Sequence, residues 1–307
     1  MALKRLGLVA LTLIVGGSPG YVLAATDGCR SEFQRSFTLN SGGKLTIESA
    51  NGAIEIFGWD RDTVEIEGAT YGETQAQCDA MQVSFDSSPN SLKIRLQKAP
   101  KKGAGARFAM RVPMRTHLEK IATTNGSIVV NDIQGTVRLK TTNSAVKVER
   151  IRGPLDILTS NASVQLLEID GPSVVRTSNG RVLAEDVRGA FEAFTSKGSI
   201  LAHIATSEPR KMVRLETTEG SIDLSLDQMP IENEIRASTK NAGITVRLPE
   251  SASARVKAQT SNAPVSTDFD VSGEAVSKQG RLDGTIGRGG STLDLATTNA
   301  TIQGVKQ

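Results

Sequence analysis

The chain has 307 residues and a nearly balanced charge, with 36 Lys and Arg residues against 33 Asp and Glu residues. A net charge of +3 is too small to suggest global attraction to nucleic acid. Aromatic residues make up only 4% of the sequence and glycine accounts for 29 positions, a balance that favours thin β layers over a thick globular core. The length allows one or two domains.

The first 24 residues have the pattern of a secretory signal. Lys4 and Arg5 precede an apolar run over Leu6–Val15, and Val22–Ala24 has the small-residue pattern of a signal-peptidase site. We therefore interpret residues 1–24 as a cleaved signal and expect an exported protein, periplasmic or at the cell surface. A membrane anchor is the alternative, but the run breaks at Gly16–Gly20 and is too short to span a bilayer. We expect no transmembrane segment after it.

Two cysteines, Cys29 and Cys78, follow the signal. In an oxidising compartment one disulfide is the simplest state of such a pair. It would close a loop of about 50 residues and stabilise the fold by about 4 kcal/mol in the chain-entropy model. A redox-active site is disfavoured because the pair lacks Cys-x-x-Cys spacing.

Residues 25–116 read as an N-terminal β region. From Phe33 to Val112, short runs of alternating apolar and polar residues are separated by turn signals such as Asn51-Gly52. Thr74–Gln82, which carries Cys78, is the one stretch that favours a short helix. We expect this region to cap one end of a longer body.

Charge is segregated in this region. Residues 45–90 hold nine acidic residues and one basic residue, whereas residues 91–120 hold nine basic residues and one acidic residue. The basic residues could form a face for an anionic polymer or lipid surface, or their strands could pair with the acidic strands, which we favour. Lys98–Gly105 is a Gly/Pro-containing loop whose charges cannot all be paired. The candidate residues for binding an anionic surface are Lys98, Lys101, Lys102 and Arg107.

An 18-residue repeat dominates residues 117–307. Copies of Thr-[Thr/Ser]-[Asn/Lys]-x-x-[Ile/Val] begin at Thr123, Thr141, Thr159, Thr177 and Thr195. Looser copies begin at Thr217, Thr239, Thr260 and Thr297, and a divergent copy spans Ser49–Ile54. A fixed short period predicts a solenoid in which each coil buries its apolar side chains against its neighbours. We therefore predict an all-β, single-stranded β-solenoid with coils of about 18–22 residues.

Alignment of the copies predicts which side chains face inward. Counted from the first threonine of each copy, positions six, eight and eleven are apolar and predicted to be buried, and position thirteen is a turn glycine. The first threonine of each copy should point inward and bond to turn backbone, whereas the asparagine should form an internal amide ladder or adopt a left-handed turn conformation. We expect residues 284–290 and the final strand to close the C-terminal end.

The sequence resembles the DUF4097 family of bacterial secreted or envelope proteins known as putative adhesins. The repeat units, Ile54–Val64 and Arg111–Leu118 carry the resemblance, which covers nearly all of the chain after the signal. It implies a β-helix of right-handed sense, an adhesin-like role and no catalytic signature.

Catalytic and metal-binding patterns are weak. His117 and His203 are the only histidines and lack metal-ligand spacing, and the serine-rich turns lack a nucleophile elbow. Asp132, Glu149 or Arg150, Glu168, and Glu185 or Asp186 fall at a comparable place in successive copies, but their mixed signs suggest solvated edge residues rather than paired catalytic carboxylates. We therefore predict no catalytic residues, no metal and no cofactor.

The leading hypothesis for function is a non-catalytic envelope protein. It would act as an adhesin or binding scaffold for an envelope polymer, a membrane surface or a protein, and we expect no nucleic-acid partner. Two alternatives remain open: a structural or self-assembling solenoid, and a carbohydrate-active β-helix enzyme. The oligomeric state is not predicted.

Overall fold

The computed structural model describes residues 28–97, 103–206, 209–229, 231–273 and 280–307. The signal interpretation and candidate residues Lys98, Lys101 and Lys102 lie outside these ranges. In chain order the elements are β1 (Cys29–Thr38), β2 (Lys44–Glu48), β3 (Ile54–Trp59), β4 (Thr63–Gly72), α1 (Gln75–Ala80), β5 (Val83–Ser88), β6 (Ser91–Leu96), β7 (Gly105–Pro113), β8 (His117–Ala122), β9 (Ile128–Ile133), β10 (Val137–Lys140), β11 (Val146–Arg152), β12 (Leu155–Leu158), β13 (Val164–Asp170), β14 (Ser173–Arg176), β15 (Val182–Arg188), β16 (Phe191–Phe194), β17 (Ile200–Thr206), β18 (Met212–Glu216), β19 (Ile222–Leu226), β20 (Glu234–Ser238), β21 (Ile244–Leu248), β22 (Ala254–Gln259), β23 (Val265–Thr267), β24 (Val271–Ser272), β25 (Arg281–Ile286), β26 (Ser291–Ala296) and β27 (Ile302–Lys306).

The strands form two sheets that enclose one core. Sheet 1 has the order β1-β4-β7-β3-β9-β11-β13-β15-β17-β19-β21-β27-β23, and sheet 2 has the order β24-β25-β22-β26-β20-β18-β16-β14-β12-β10-β8-β2-β6-β5. In the regular region each coil contributes one parallel strand to each sheet, so that Val164 is paired with Val146 on one side and Val182 on the other. The predicted all-β solenoid is confirmed, whereas its right-handed sense stays a prediction.

The inward columns predicted from the repeat form the core. Position six is fully buried throughout the regular coils, as at Val164 and Val182, and so are position eight and position eleven. The turn glycines stack directly on one another. Gly153 and Gly171 have φ values of 131° and 139°, and a Cβ on Gly171 would lie 2.6 Å from the carbonyl oxygen of Gly153. Glycine is therefore required there by backbone conformation and by close approach.

The N-terminal region continues the same two sheets. Strand β2 pairs with β8, and β3 pairs with β9, so the divergent copy at Ser49–Ile54 forms a coil of the stack. The predicted disulfide is present, with an S–S distance of 2.06 Å between Cys29 and Cys78. It ties β1 to α1, the helix expected within Thr74–Gln82. Phe33 and Phe37 of β1 pack against Phe85 of β5 at centroid distances of 6.0 and 5.4 Å, which joins the two sheets at this end.

The C-terminal end differs from the prediction in the place of the final strand. The final strand β27 does not close the stack but lies between β21 and β23, and β26 likewise lies between β20 and β22. The last copy of the repeat, which begins at Thr297, is therefore inserted between the copies that begin at Thr239 and Thr260. The short strands β23 and β24 form the edges at this end, and β25, which contains part of the glycine-rich 284–290 segment, pairs antiparallel with β22 and β24.

Candidate binding surface

The repeated threonines stabilise the turns. The first threonine of each copy is buried, at 8% exposure or less. In most copies its hydroxyl donates to a backbone carbonyl of the coil below, as from Thr195 to Gly180 at 3.1 Å and from Thr217 to Gly198 at 3.0 Å. The same oxygen accepts the backbone N–H three residues on, for example that of Gly198 at 3.2 Å from Thr195. The inward assignment of this column is confirmed.

The asparagines form a ladder, but on the exterior. Most of the side-chain amides donate to the amide oxygen of the asparagine in the neighbouring coil, at 2.7 Å from Asn143 to Asn125 and 2.8 Å from Asn161 to Asn143. These side chains are exposed, so the expectation of an internal ladder is wrong. The turn projects the third residue outward because the first threonine of the copy occupies the inner corner. Lys197 and Glu219 replace the asparagine in two adjacent coils.

A second column has left-handed backbone conformation. Asp132, Arg150, Glu168 and Asp186 have φ values of 61°, 53°, 54° and 52°. The strand register passes from Glu149–Leu167 directly to Ile151–Ile169, so Arg150 and Glu168 are stacked bulge residues. The sequence contained a signal for this bulge: inward residues of a regular strand are two apart, whereas inward positions eight and eleven are three apart. The expectation of ordinary edge residues missed this strain.

These bulges border a shallow groove of about 270 Å³. Arg150 binds Asp132 through two hydrogen bonds, at 2.7 and 2.9 Å. The hydrogen bond from Arg150 holds the pKa of Asp132 below its usual value. Asp132 therefore stays ionised and paired, which does not suit a general acid.

The basic stretch is divided between the two sheets. Lys93 and Arg95 lie on the outer face of β6 in sheet 2, whereas Arg107 and Arg111 lie on the outer face of β7 in sheet 1. Since the outer faces of the two sheets point in opposite directions, these residues do not form one basic face. Much of their charge is paired with the acidic stretch, as described next.

Among the described residues, three ion pairs join the basic and acidic stretches. Lys120 binds Glu48 at 2.5 Å, and its hydrogen bond lowers the pKa of that carboxyl. Arg95 lies 4.0 Å from Glu48, and Arg111 lies 3.8 Å from Glu65. Pairing between neighbouring strands of one sheet is therefore observed for these residues. Binding of an anionic surface by Lys98, Lys101 and Lys102 stays a prediction.

One outer surface combines arginines with an exposed phenylalanine and a half-buried tryptophan. We call it the N-terminal face, and it consists of outward residues of three adjacent strands of sheet 1. The members are Glu55, Phe57 and Trp59 of β3, Glu65 and Glu67 of β4, and Arg107, Ala109 and Arg111 of β7. Phe57 is 39% exposed. The candidate residue Arg107 belongs to this face, which the sequence did not associate with the aromatic residues.

The small side chain of Ala109 creates a depression in the N-terminal face. Its cross-strand neighbours are Glu55 and Glu67, and the next row contains Phe57, Arg111 and Glu65. The depression has a volume of about 130 Å³. Trp59 lies beside it, with the guanidinium of Arg61 at 4.9 Å and that of Arg111 at 6.0 Å from its ring centroid. This arrangement offers an apolar wall together with hydrogen-bond donors and acceptors.

A protein-family model, Toastrack DUF4097, matches residues 34–303. The chain belongs to the Toastrack DUF4097 family. The match extends over both the N-terminal region and the repeats, in agreement with the resemblance seen in the sequence. Among curated proteins, no sequence matches this Toastrack chain.

Several solved structures are similar to this Toastrack chain at low sequence identity. A putative adhesin from Parabacteroides merdae is 9% identical, with 89% of this chain and 95% of that chain covered and a TM-score of 0.36. A putative lipid binding protein from Parabacteroides distasonis is 11% identical, with 90% and 96% covered and a TM-score of 0.31. A putative cell adhesion protein from Clostridium sporogenes is 10% identical, with 90% and 100% covered and a TM-score of 0.23. Similarity at this level carries no inference about ligands.

The histidines of this Toastrack chain have local partners. His203 Nε2 lies 2.8 Å from Asp227 Oδ1, and His117 Nδ1 accepts the backbone N–H of Thr136 at 3.2 Å. Among the described residues no group of three or more His, Cys, Asp or Glu side chains could hold a metal ion. No helix in the described ranges has the length and hydrophobicity needed to cross a membrane.

Proposed function

We propose that the chain is an exported, non-catalytic binding scaffold of the bacterial cell envelope, with the N-terminal face as its contact surface. The stacked coils make a rigid body, and its outer rows of side chains keep fixed spacings across the strands. Such a body can present a binding surface without rearranging. The partner would be an envelope polymer, a membrane surface or a protein.

The exposed Phe57 within a charged face is the observation that carries this proposal. A single exposed apolar side chain is common on protein surfaces, so the grouping of Phe57 with a second aromatic residue and an arginine is what marks this face. Here Phe57 lies beside Trp59 and the Arg111–Glu65 pair, and aromatic residues with arginine are enriched at binding hot spots. The regular coils provide no comparable aromatic group on this face of sheet 1.

The proposal is tested by sedimenting the purified exported chain with envelope fractions. Arg107→Glu with Arg111→Glu reverses the charge of the N-terminal face, and Lys98→Glu with Lys101→Glu and Lys102→Glu reverses that of the predicted basic loop. Arg138→Glu with Lys140→Glu, on the outer face of sheet 2, is the matched control. All variants are first compared by circular dichroism to confirm that they fold.

We expect the wild type and the sheet 2 control to co-sediment and the face variant to remain in solution. Retained binding by the loop variant would assign the contact to the face alone, whereas its loss would add the loop to the contact surface. If the wild type sediments no better than a soluble protein of similar size, the binding function is wrong. If the face variant still sediments fully, the N-terminal face is not the contact surface.

A further inference from the structure

The depression at Ala109 continues across the sheet as a furrow. Two in-register rows of outward side chains border it. One row contains Phe57, Arg111, Glu65 and Ser36, and the other contains Ala109, Glu67 and Gln34. A second shallow pocket, which shares Glu65 and Glu67 with the first, extends the furrow onto β1. Four strands at ~4.8 Å spacing give the furrow a length of roughly 14 Å.

The furrow carries charges of both signs. Among the described outward side chains that border or adjoin it, Glu55, Glu65 and Glu67 alternate with Arg107 and Arg111, whereas Arg35 is paired with the inward Ile66 and lies on the other side of the sheet. A polyanion would meet the carboxylates and a polycation would meet the guanidinium groups. Like-charge contacts of this kind disfavour either partner. The furrow is therefore suited to a neutral ligand that both donates and accepts hydrogen bonds.

The side-chain chemistry matches a sugar ring. One face of a pyranose carries C–H groups, which are attracted to the negative face of an aromatic ring. Its rim carries adjacent hydroxyl groups, which fit the planar two-pronged geometry of a guanidinium or carboxylate. Phe57 supplies the aromatic surface, and Arg111 and Glu65 supply the planar polar groups. Ala109 leaves the space in which the ring would lie.

We propose that this furrow binds a short stretch of a neutral polysaccharide that runs across the strands of sheet 1. Phe57 stacks on one sugar, Arg111 and Glu65 bind its hydroxyl groups, and Glu67 and Gln34 bind the next sugar along the furrow. This inference rests on the proposed function and specifies its ligand class. The bulge groove bordered by Asp132 and Arg150 lacks an aromatic surface, and Arg150 is held to Asp132 by two hydrogen bonds at 2.7 and 2.9 Å, whereas Arg111 and Glu65 lie 3.8 Å apart.

Trp59 provides a direct readout because it is the only tryptophan in the chain. Arg111 lies between the furrow and the Trp59 ring, so a ligand that displaces Arg111 changes the emission of Trp59. The probes are a neutral hexose trisaccharide, a neutral N-acetylhexosamine trisaccharide, a sulfated trisaccharide and a glucosamine trisaccharide. Saturation-transfer NMR on the same samples identifies which sugar protons contact the protein.

We expect at least one neutral trisaccharide to give a saturable signal, with the charged trisaccharides binding about tenfold or more weakly. Phe57→Ala removes the stacking surface and Ala109→Leu fills the depression, so each weakens binding by about tenfold or more. Leu158→Ala, which shortens an exposed leucine on sheet 2, leaves binding unchanged. Absence of neutral-sugar binding at about 10 mM, tighter binding of a charged trisaccharide, or full binding by Ala109→Leu overturns the inference.

The envelope fraction separates this inference from the proposed function. Periodate oxidation of its glycans should abolish co-sedimentation of the wild type, and protease treatment should leave it intact. Loss after protease but not after periodate identifies a protein partner; the binding function then stands and the sugar assignment falls. If trisaccharides bind but envelopes do not, the furrow is a sugar site and the envelope role is wrong.

Discussion

Two buried threonines at the same position of the repeat should respond in opposite ways to replacement by valine. The Thr195 hydroxyl donates to the Gly180 carbonyl and accepts the Gly198 N–H. The Thr159 hydroxyl is also buried, yet it has no hydrogen-bond partner among the described residues. Valine has the same shape as threonine but no hydroxyl. Thr195→Val therefore removes two hydrogen bonds, whereas Thr159→Val removes only the penalty of burying an unpaired hydroxyl.

The expected magnitudes follow from the cost of unpaired buried groups. Leaving a buried donor or acceptor unsatisfied costs about 1–3 kcal/mol, so we expect Thr195→Val to lower the free energy of unfolding by about 2 kcal/mol. Thr159→Val should be neutral or should stabilise the protein by up to about 1 kcal/mol. Urea unfolding monitored by circular dichroism measures both, provided that the slope m is unchanged. Equal destabilisation of the two variants would refute the assignment of the threonine hydrogen bonds.

Three further predictions address the core, the N-terminal end and the bulge column. Val164→Asp buries a carboxylate at a fully enclosed position, so thermal unfolding should show a loss of at least about 3 kcal/mol, and an unchanged melting temperature would contradict the inward assignment. Cys29→Ala with Cys78→Ala opens a loop of 49 residues and should lower stability by about 4 kcal/mol relative to the oxidised wild type, measured by urea unfolding, and reduced wild type should show a similar loss. Asp132→Asn should cost about 0.3–1 kcal/mol at neutral pH, because the Arg150 pair is partly exposed. The folded-state pKa of Asp132 is lowered, so its contribution is present above the unfolded pKa and is lost as pH falls through the folded pKa; a difference from wild type that does not shrink as pH falls below the unfolded Asp pKa of about 3.9 would contradict the pairing.

The regular part of the fold follows directly from local sequence. Apolar residues at positions six, eight and eleven of each copy predict the core columns, because strand alternation and the repeat period act at short range. The threonine column was predicted correctly for the same reason. The exposed asparagine ladder was not, because strand alternation does not extend through a turn, where the chain direction changes.

Strand order at the C-terminal end could not be predicted from the repeat. All copies have nearly the same edges, so the copy at Thr297 can pair equally well with the one at Thr239 or the one at Thr260. The structure inserts it between them, with β26 paired to both β20 and β22. This choice depends on the path of the segment that includes Gly287–Gly290, which is a long-range property of the chain. Local patterns carry no information about it.

The candidate surface lies where the repeat departs from its consensus, and there is a physical reason for this. In the coil that contains Asn51, the inward residues Ile54 and Ile56 are retained, and Asn51 still accepts the ladder hydrogen bond from Asn125 at 2.6 Å. These positions are constrained because each contacts the coil above or below. Trp59 has a local structural role, because its indole N–H donates to the Thr63 carbonyl at 2.8 Å. Phe57 has no such bond, and its outward position on β3 contacts no other coil through the core, so a phenylalanine can stand there without disturbing the stack. The repeat therefore predicts the scaffold, and function is to be sought at outward positions where a large side chain has no structural reason to be present.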